Sequence, residues 1–254
     1  MQWALPHWCG TQSRIAMQPE SATTAHSPLT DASFEQGLRA LREADERLAD
    51  VYLRLGPPPF WQRDPGFPTL LRIILEQQVS LASALATFRR VAELADPLTP
   101  RNFLALSDEE LRGAGFSRQK TAYGRALARA LLDGELDLDA LHSLADDDVR
   151  ESLTCVKGIG PWTAEVYLLM ALRRPDVWPT GDLALAVAVQ EVLRLPERPG
   201  PQELEALGSD WKPWRAVAAR LFWHHYLSTE RIDGRGNRRA GRISNAVQGE
   251  KSSG

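Results

Sequence analysis

Residues 155–187 read CVKGIGPWTAEVYLLMALRRPDVWPTGDLALAV and gather three features that can do chemistry: a glycine turn, tryptophans and an aspartate that follows the first of these tryptophans by twenty positions. Gly158 and Gly160 flank Ile159, and Pro161 follows. Glycines let a backbone take positive φ and come close to another molecule, and a proline presets the first turn of a helix whose free N–H groups attract anions. A duplex phosphate is a suitable anion, although a plain helix hairpin with Ile159 as its apolar plug would use the same residues. Trp162 comes directly after the turn, and Asp182 stands twenty positions after Trp162. Indole is the best aromatic face for a cation, and a tryptophan is equally a core residue. An aspartate can stabilise positive charge, or simply N-cap a helix that starts at Leu183.

Composition narrows the choices. The 254 residues are 43% apolar, enough to bury one sizeable core. No apolar run approaches the length that spans a bilayer, and the first 18 residues lack the charged-then-apolar order of a secretory signal, so the expectation is a soluble, cytoplasmic protein with no membrane association. With only Cys9 and Cys155, neither a disulfide framework nor a four-thiolate metal site can be built. Five scattered histidines complete no metal-ligand spacing, so no metal site is expected among the side chains. The net charge of −3 argues against nucleic acid, but its distribution is uneven. Between Leu111 and Leu132 lie Arg112, Arg118, Lys120, Arg125 and Arg129 with no acid, while Asp133 to Glu151 holds eight acids against Arg150. One face can be positive on an acidic molecule, or the two stretches can simply balance each other.

The elements that would position these residues are helical throughout. Residues 1–30, rich in Ser, Thr, Pro and Gln, are expected to be disordered, the folded domain to cover 31–230, and residues 231–254 to form a basic disordered tail. A stripe of Phe34, Leu38, Leu41, Leu48, Val51 and Leu55 predicts a helical segment from Asp31 to the Gly56-Pro57-Pro58-Pro59 stop. The next, from Leu70 to Leu94, reads as one long helix or as two with a bend near Ser80. Asp96-Pro97 and Thr99-Pro100 mark a loop; Ser107 opens a capping box for a short helix to Arg112, ended by Gly113 and Gly115; and Ser117 caps the basic helix to Leu132. Further helices are expected over 138–144, 146–154, 162–172, 183–193, 201–207 and 211–229. No stretch alternates like a strand, so the fold class is all-α with about ten helices.

The stretch LTCVKGIGPWTAEVYLLMAL resembles the helix-hairpin-helix of the base-excision DNA glycosylases, the group named for that hairpin, a Gly/Pro-rich stretch and an aspartate. The similarity extends to ILEQQVSLASA, GAGFSRQKTAYGRALARAL and WKPWRAVAARLFW, covers roughly Phe34 to Leu227, and leans toward the 3-methyladenine DNA glycosylase II branch. It implies a two-lobed helical bundle with the active-site cleft between lobes, acting as a monomer on duplex DNA that contains damaged bases. Such an enzyme extrudes the damaged nucleotide and breaks its bond to C1′. Asp182 stands where the group keeps its catalytic aspartate, able to stabilise the sugar cation and activate water.

The resemblance puts Trp162 and Trp223 in the base pocket, and Val166 where the branch carries a pocket tyrosine. It gives DNA contacts to Lys157, Gly158, Ile159, Gly160, Gln77, Gln78, Ser80, Ser117 and Lys120, with Gln78 as the residue that fills the gap. In the lyase members a lysine follows the turn; here Trp162 does, which implies hydrolysis to an abasic site and no required cofactor, a monovalent cation on the hairpin backbone being the one ion the group suggests. The alternatives are another lesion, oxidised or deaminated, or a helix-hairpin-helix DNA-binding protein without catalysis. A mere binding module needs the turn but not Asp182, Trp162 and Trp223 together.

Overall fold

The computed structural model describes residues 27–229 together with 231–232 and 238–239. Twelve α-helices occupy the first of these spans, and the last two pair as a two-residue antiparallel ladder, Arg231 opposite Arg239. Every other described element is helical, as the all-α expectation requires. Both expected disordered tails fall largely outside the described residues. The domain nonetheless begins before Asp31: Leu29 is buried, and its N–H donates to Arg173 O at 2.7 Å.

The helical segment expected from Asp31 to Leu55 is two helices, α1 (Asp31–Ala44) and α2 (Glu46–Leu55). Asp45 breaks it: with extended backbone it caps α2 by accepting the Arg47 N–H, and it also accepts from Arg47 Nε and Trp211 Nε1. These contacts hold its carboxyl down at about 2 against the opposing effect of burial. The next stripe is also two helices, α3 (Phe67–Glu76) and α4 (Leu81–Leu94), with the bend at residues 77–80.

A short helix, α5 (Pro100–Ala105), fills the expected loop because Thr99 caps it and Pro100 occupies its first turn. α6 (Asp108–Ala114) carries the Ser107 to Glu110 capping box, but it runs through Gly113 and stops at left-handed Gly115. α7 (Arg118–Leu132) and α8 (Asp146–Thr154) have the expected bounds, and the segment over 138–144 shrinks to a 3₁₀ turn, Ala140–Ser143. α9 (Pro161–Met170), α10 (Leu183–Leu193), α11 (Pro201–Gly208) and α12 (Arg215–Ser228) complete the chain, α12 starting only after a 3₁₀ turn and cis-Pro213.

Helices α1, α2, α10 and α12 pack together, as do α3 to α7, and α9 rests on α3, so that one continuous core runs through both groups. α12 lies deepest: Ala216 to His224 are all buried, which is why its sequence shows no one-sided apolar stripe. Arg220 is part of this run. Its guanidinium donates to Phe60 O, Ala216 O and Leu169 O at 2.6–2.9 Å, tying α12 to α9, and burial lowers its pKa to about 9. Among the described residues no helix is long and apolar enough to cross a membrane.

Candidate active site

Asp182 is the point where α9, α10 and α12 meet. It caps α10, its Oδ1 accepting the Leu185 N–H at 2.7 Å. Two indoles from other helices complete the arrangement: Trp162 Nε1 donates to Oδ2 at 2.8 Å, and Trp223 Nε1 donates to Oδ1 at 3.1 Å. Both oxygens are therefore fixed in direction by donors on three helices. The capping role and a chemical role coexist, because the cap and Trp223 share Oδ1 and leave Oδ2 with Trp162 alone among the described residues.

The segment leading to Asp182 is fastened independently. Asp182 N–H donates to Pro179 O, and Val177, Trp178 and Pro179 are buried. Upstream, Asp176 receives Nε and Nη2 of Arg215 at 2.9 and 3.0 Å, a two-pronged pair that clamps the segment to the start of α12. Arg174, nearly fully buried, donates to Leu141, His142 and Leu144 carbonyls and pairs with Asp146 at 3.3 Å. Position 182 thus inherits its place from three guanidinium anchors, at 174, 215 and 220, none of which sequence reasoning singled out. An arginine inside an apolar run, as in AVAARLFW, is the one signal that could have revealed Arg220.

The pocket residues separate. Trp162 is half-buried, whereas Trp223 is 7% and Val166 3% exposed, because α12 and α9 are packed on nearly all sides. Trp223 thus meets Asp182 through its N–H and offers little free ring face, and Val166 is a core residue. Leu183, which the sequence reading passed over, follows Asp182 with 60% of its surface exposed and supplies apolar area beside the carboxylate. Two surface recesses lie elsewhere, one among Phe34, Pro57 to Pro59 and Phe60, the other among Arg129, Cys155 and Lys157; Asp182 lines neither.

The hairpin of α8 and α9 is present with its turn at 155–160. Gly158 has φ +98°, and a Cβ there would fall 2.2 Å from the Tyr123 ring. Gly160, in contrast, has φ −94° and caps α9 with nothing within 4 Å of where a Cβ would sit, so of the two glycines Gly158 alone has positive φ. Ile159 is buried as the plug and offers only backbone outward, while Lys157 is exposed. α9 has no side-chain cap, which leaves its first turn open to an acceptor from another molecule.

Other expected contacts point inward. Gln77 Nε2 donates to Gly158 O and Thr163 Oγ1, both at 3.0 Å. Lys120 Nζ donates to Leu75 O at 2.6 Å, its pKa lowered by burial, and is a brace rather than a surface cation. Arg125 is likewise turned to Leu104 O, Leu106 O and Asp108, so the basic stretch shows solvent only Arg112, Arg118 and Arg129. Gln78 is exposed in a left-handed conformation, φ +58°, at the tip of the α3–α4 turn. Ser80 and Ser117 are exposed N-caps, accepting the Ser83 and Lys120 N–H groups.

No group of His, Cys, Asp and Glu among the described residues could hold a metal. Backbone carbonyls are what the turn offers a cation, an oxygen set suited to a hard ion.

The structure is thus a helical fold with an uncapped helix start behind a glycine turn and, beside that helix, a carboxylate at the start of α10 held by indoles from α9 and α12. The chain belongs to the HhH-GPD superfamily of base excision DNA repair proteins, which it matches over residues 71–213. It is 28% identical over 162 residues to the putative DNA-3-methyladenine glycosylase YfjP of Bacillus subtilis, covering 61% of this chain and 56% of that protein's length. Among solved structures it is similar to the DNA-3-methyladenine glycosidase of Bacillus halodurans, with a TM-score of 0.63 and 32% identity over 78% of this chain and 90% of that one. It is also similar to the 3-methyladenine DNA glycosylase Mag1 of Schizosaccharomyces pombe in complex with abasic DNA, with a TM-score of 0.67 and 28% identity over 75% and 95% of the two chains.

Proposed function

We propose that the protein is a DNA glycosylase that hydrolyses the N-glycosidic bond of alkylated bases in duplex DNA and leaves an abasic site. The observation that carries this reading is the Asp182 carboxylate, both oxygens held by indole N–H groups from Trp162 and Trp223. Holding an acceptor this firmly is of use where charge develops beside it. As the bond from C1′ to the base nitrogen lengthens, its electrons leave with the base and the sugar becomes cationic. Asp182 stabilises that cation and orients a water, whose oxygen bonds to C1′ while its proton passes to the carboxylate and on to solvent. An alkylated purine that carries positive charge departs neutral and needs no acid. Trp162 contributes recognition, its ring meeting the cationic base, with Leu183 as apolar support.

The hairpin backbone at Lys157 to Gly160 and the helix starts at Ser80 and Ser117 hold the phosphates, and a monovalent cation on the turn carbonyls would strengthen that grip without entering the reaction. Gln78 fills the space the base vacates. Trp162 in place of an amine supports hydrolysis without strand nicking.

The test is to incubate the protein with duplex carrying 7-methylguanine or 3-methyladenine and heat the product in alkali. Breaks should appear only after alkali and should vanish with Asp182→Asn. Breaks before alkali would contradict hydrolysis alone, and an unreactive wild type over a panel of alkylated, oxidised and deaminated bases would overturn the enzyme reading.

A further inference from the structure

Gln77 joins two parts of the surface that the chain separates by more than eighty residues. It closes α3, and the next residue, Gln78, stands exposed and left-handed at the tip of the α3–α4 turn. The Gln77 amide nitrogen spends one hydrogen on Gly158 O, inside the glycine turn, and the other on Thr163 Oγ1, in the first turn of α9, where Thr163 is 1% exposed. A second brace runs alongside. Lys120 on α7 holds the Leu75 carbonyl two residues before Gln77, and Tyr123, one turn further along α7, packs under Gly158. The exposed turn, the hairpin and α7 are therefore one cross-linked body. Position 77 must supply a donor, since both partners accept there, and a carboxylate cannot.

We propose that Gln77 is a positioning residue that couples the α3–α4 turn to the hairpin, so that the turn entering the base stack pushes against the same body that grips the phosphate. This rests on the glycosylase reading above. Opening a paired base costs unstacking and unpairing, whereas a base with no partner opens at far lower cost. Rigid coupling should therefore matter for paired lesions and little for unpaired ones.

The experiment uses two duplexes, with 7-methylguanine opposite cytosine or opposite an abasic-site analogue, each with a neighbouring 2-aminopurine whose fluorescence reports opening. Wild type, Gln77→Glu and Thr163→Val are compared for opening and for single-turnover excision. Gln77→Glu sets a carboxylate against the Gly158 carbonyl and should cut both signals about tenfold on the paired duplex. On the unpaired duplex it should stay within about twofold of wild type. Thr163→Val removes one acceptor at constant shape and should show the same pattern at about threefold. Equal loss on both duplexes, or no loss on the paired one, overturns the coupling. Opening by wild type without base release would defeat the glycosylase reading and leave the coupling standing, whereas excision with unaltered opening in Gln77→Glu would do the reverse.

Discussion

Replacing Trp162 by phenylalanine separates two contributions that the proposed mechanism gives to a single side chain. The ring survives as an aromatic surface, but the 2.8 Å donor to Asp182 Oδ2 is lost. Hydrogen bonds to a charged group contribute about 1.5 to 3 kcal/mol, and since Trp162 is partly open to solvent the lower half of that range applies. At about 1.4 kcal/mol per tenfold in rate, the expected loss is about 10- to 40-fold in single-turnover excision. It should be equal for 7-methylguanine, 3-methyladenine and neutral hypoxanthine, because the carboxylate serves all three. Binding to abasic DNA should stay near wild type.

Trp162→Ala removes the stacking surface as well, worth about 1 to 3 kcal/mol per base, and this further loss should fall mainly on the cationic lesions. The assay is thus a ratio of ratios, phenylalanine against alanine across three lesions. Wild-type rates in Trp162→Phe would refute the carboxylate-holding argument. A phenylalanine variant impaired only on cationic bases would show that the ring, and not the N–H, is what counts.

Asp182→Asn turns an amide toward the Trp162 N–H, donor against donor, while the oxygen can keep the Leu185 cap; excision should fall about 10²- to 10³-fold with abasic-DNA affinity retained, as measured by single-turnover kinetics and fluorescence anisotropy. The two hairpin glycines should separate cleanly. Gly158→Ala places a Cβ 2.2 Å from Tyr123 at φ +98° and should lower the melting temperature, costing about 1 to 3 kcal/mol. A Cβ at Gly160 meets nothing within 4 Å, so Gly160→Val should leave melting unchanged while weakening all duplexes alike, lesion or not. Burial pushes Glu165 from 4.5 up to about 7, so its ionisation opposes folding: the penalty is absent below pH 4.5, grows up to about pH 7 and is complete above it. Glu165→Gln should therefore stabilise the protein at pH 8 by at most about 3 kcal/mol and by nothing at pH 4.5, read from denaturant unfolding at the two pH values.

The elements around the site were legible because their signals act within one helical turn. Ser107 with Glu110, Ser117, and Asp182 before an apolar run each cap the helix that follows through a bond only three residues long, and these boundaries came out as the residues dictate. The break at Asp45 was not legible, since the residue that helps hold it out of the helix, Trp211, lies 166 positions away. The same distance rule governs chemistry. Glycine types announced a turn, but whether Gly158 or Gly160 takes positive φ was decided by the packing of Tyr123. Asp182, Trp162 and Trp223 could be named from the sequence, yet that both indoles aim their N–H at one carboxylate follows from how α9 and α12 cross, with Arg220 tying them together. Gln77 and Lys120 looked like surface contacts because polarity alone carries no direction; only the packed helices turn one onto the hairpin and the other onto the end of α3.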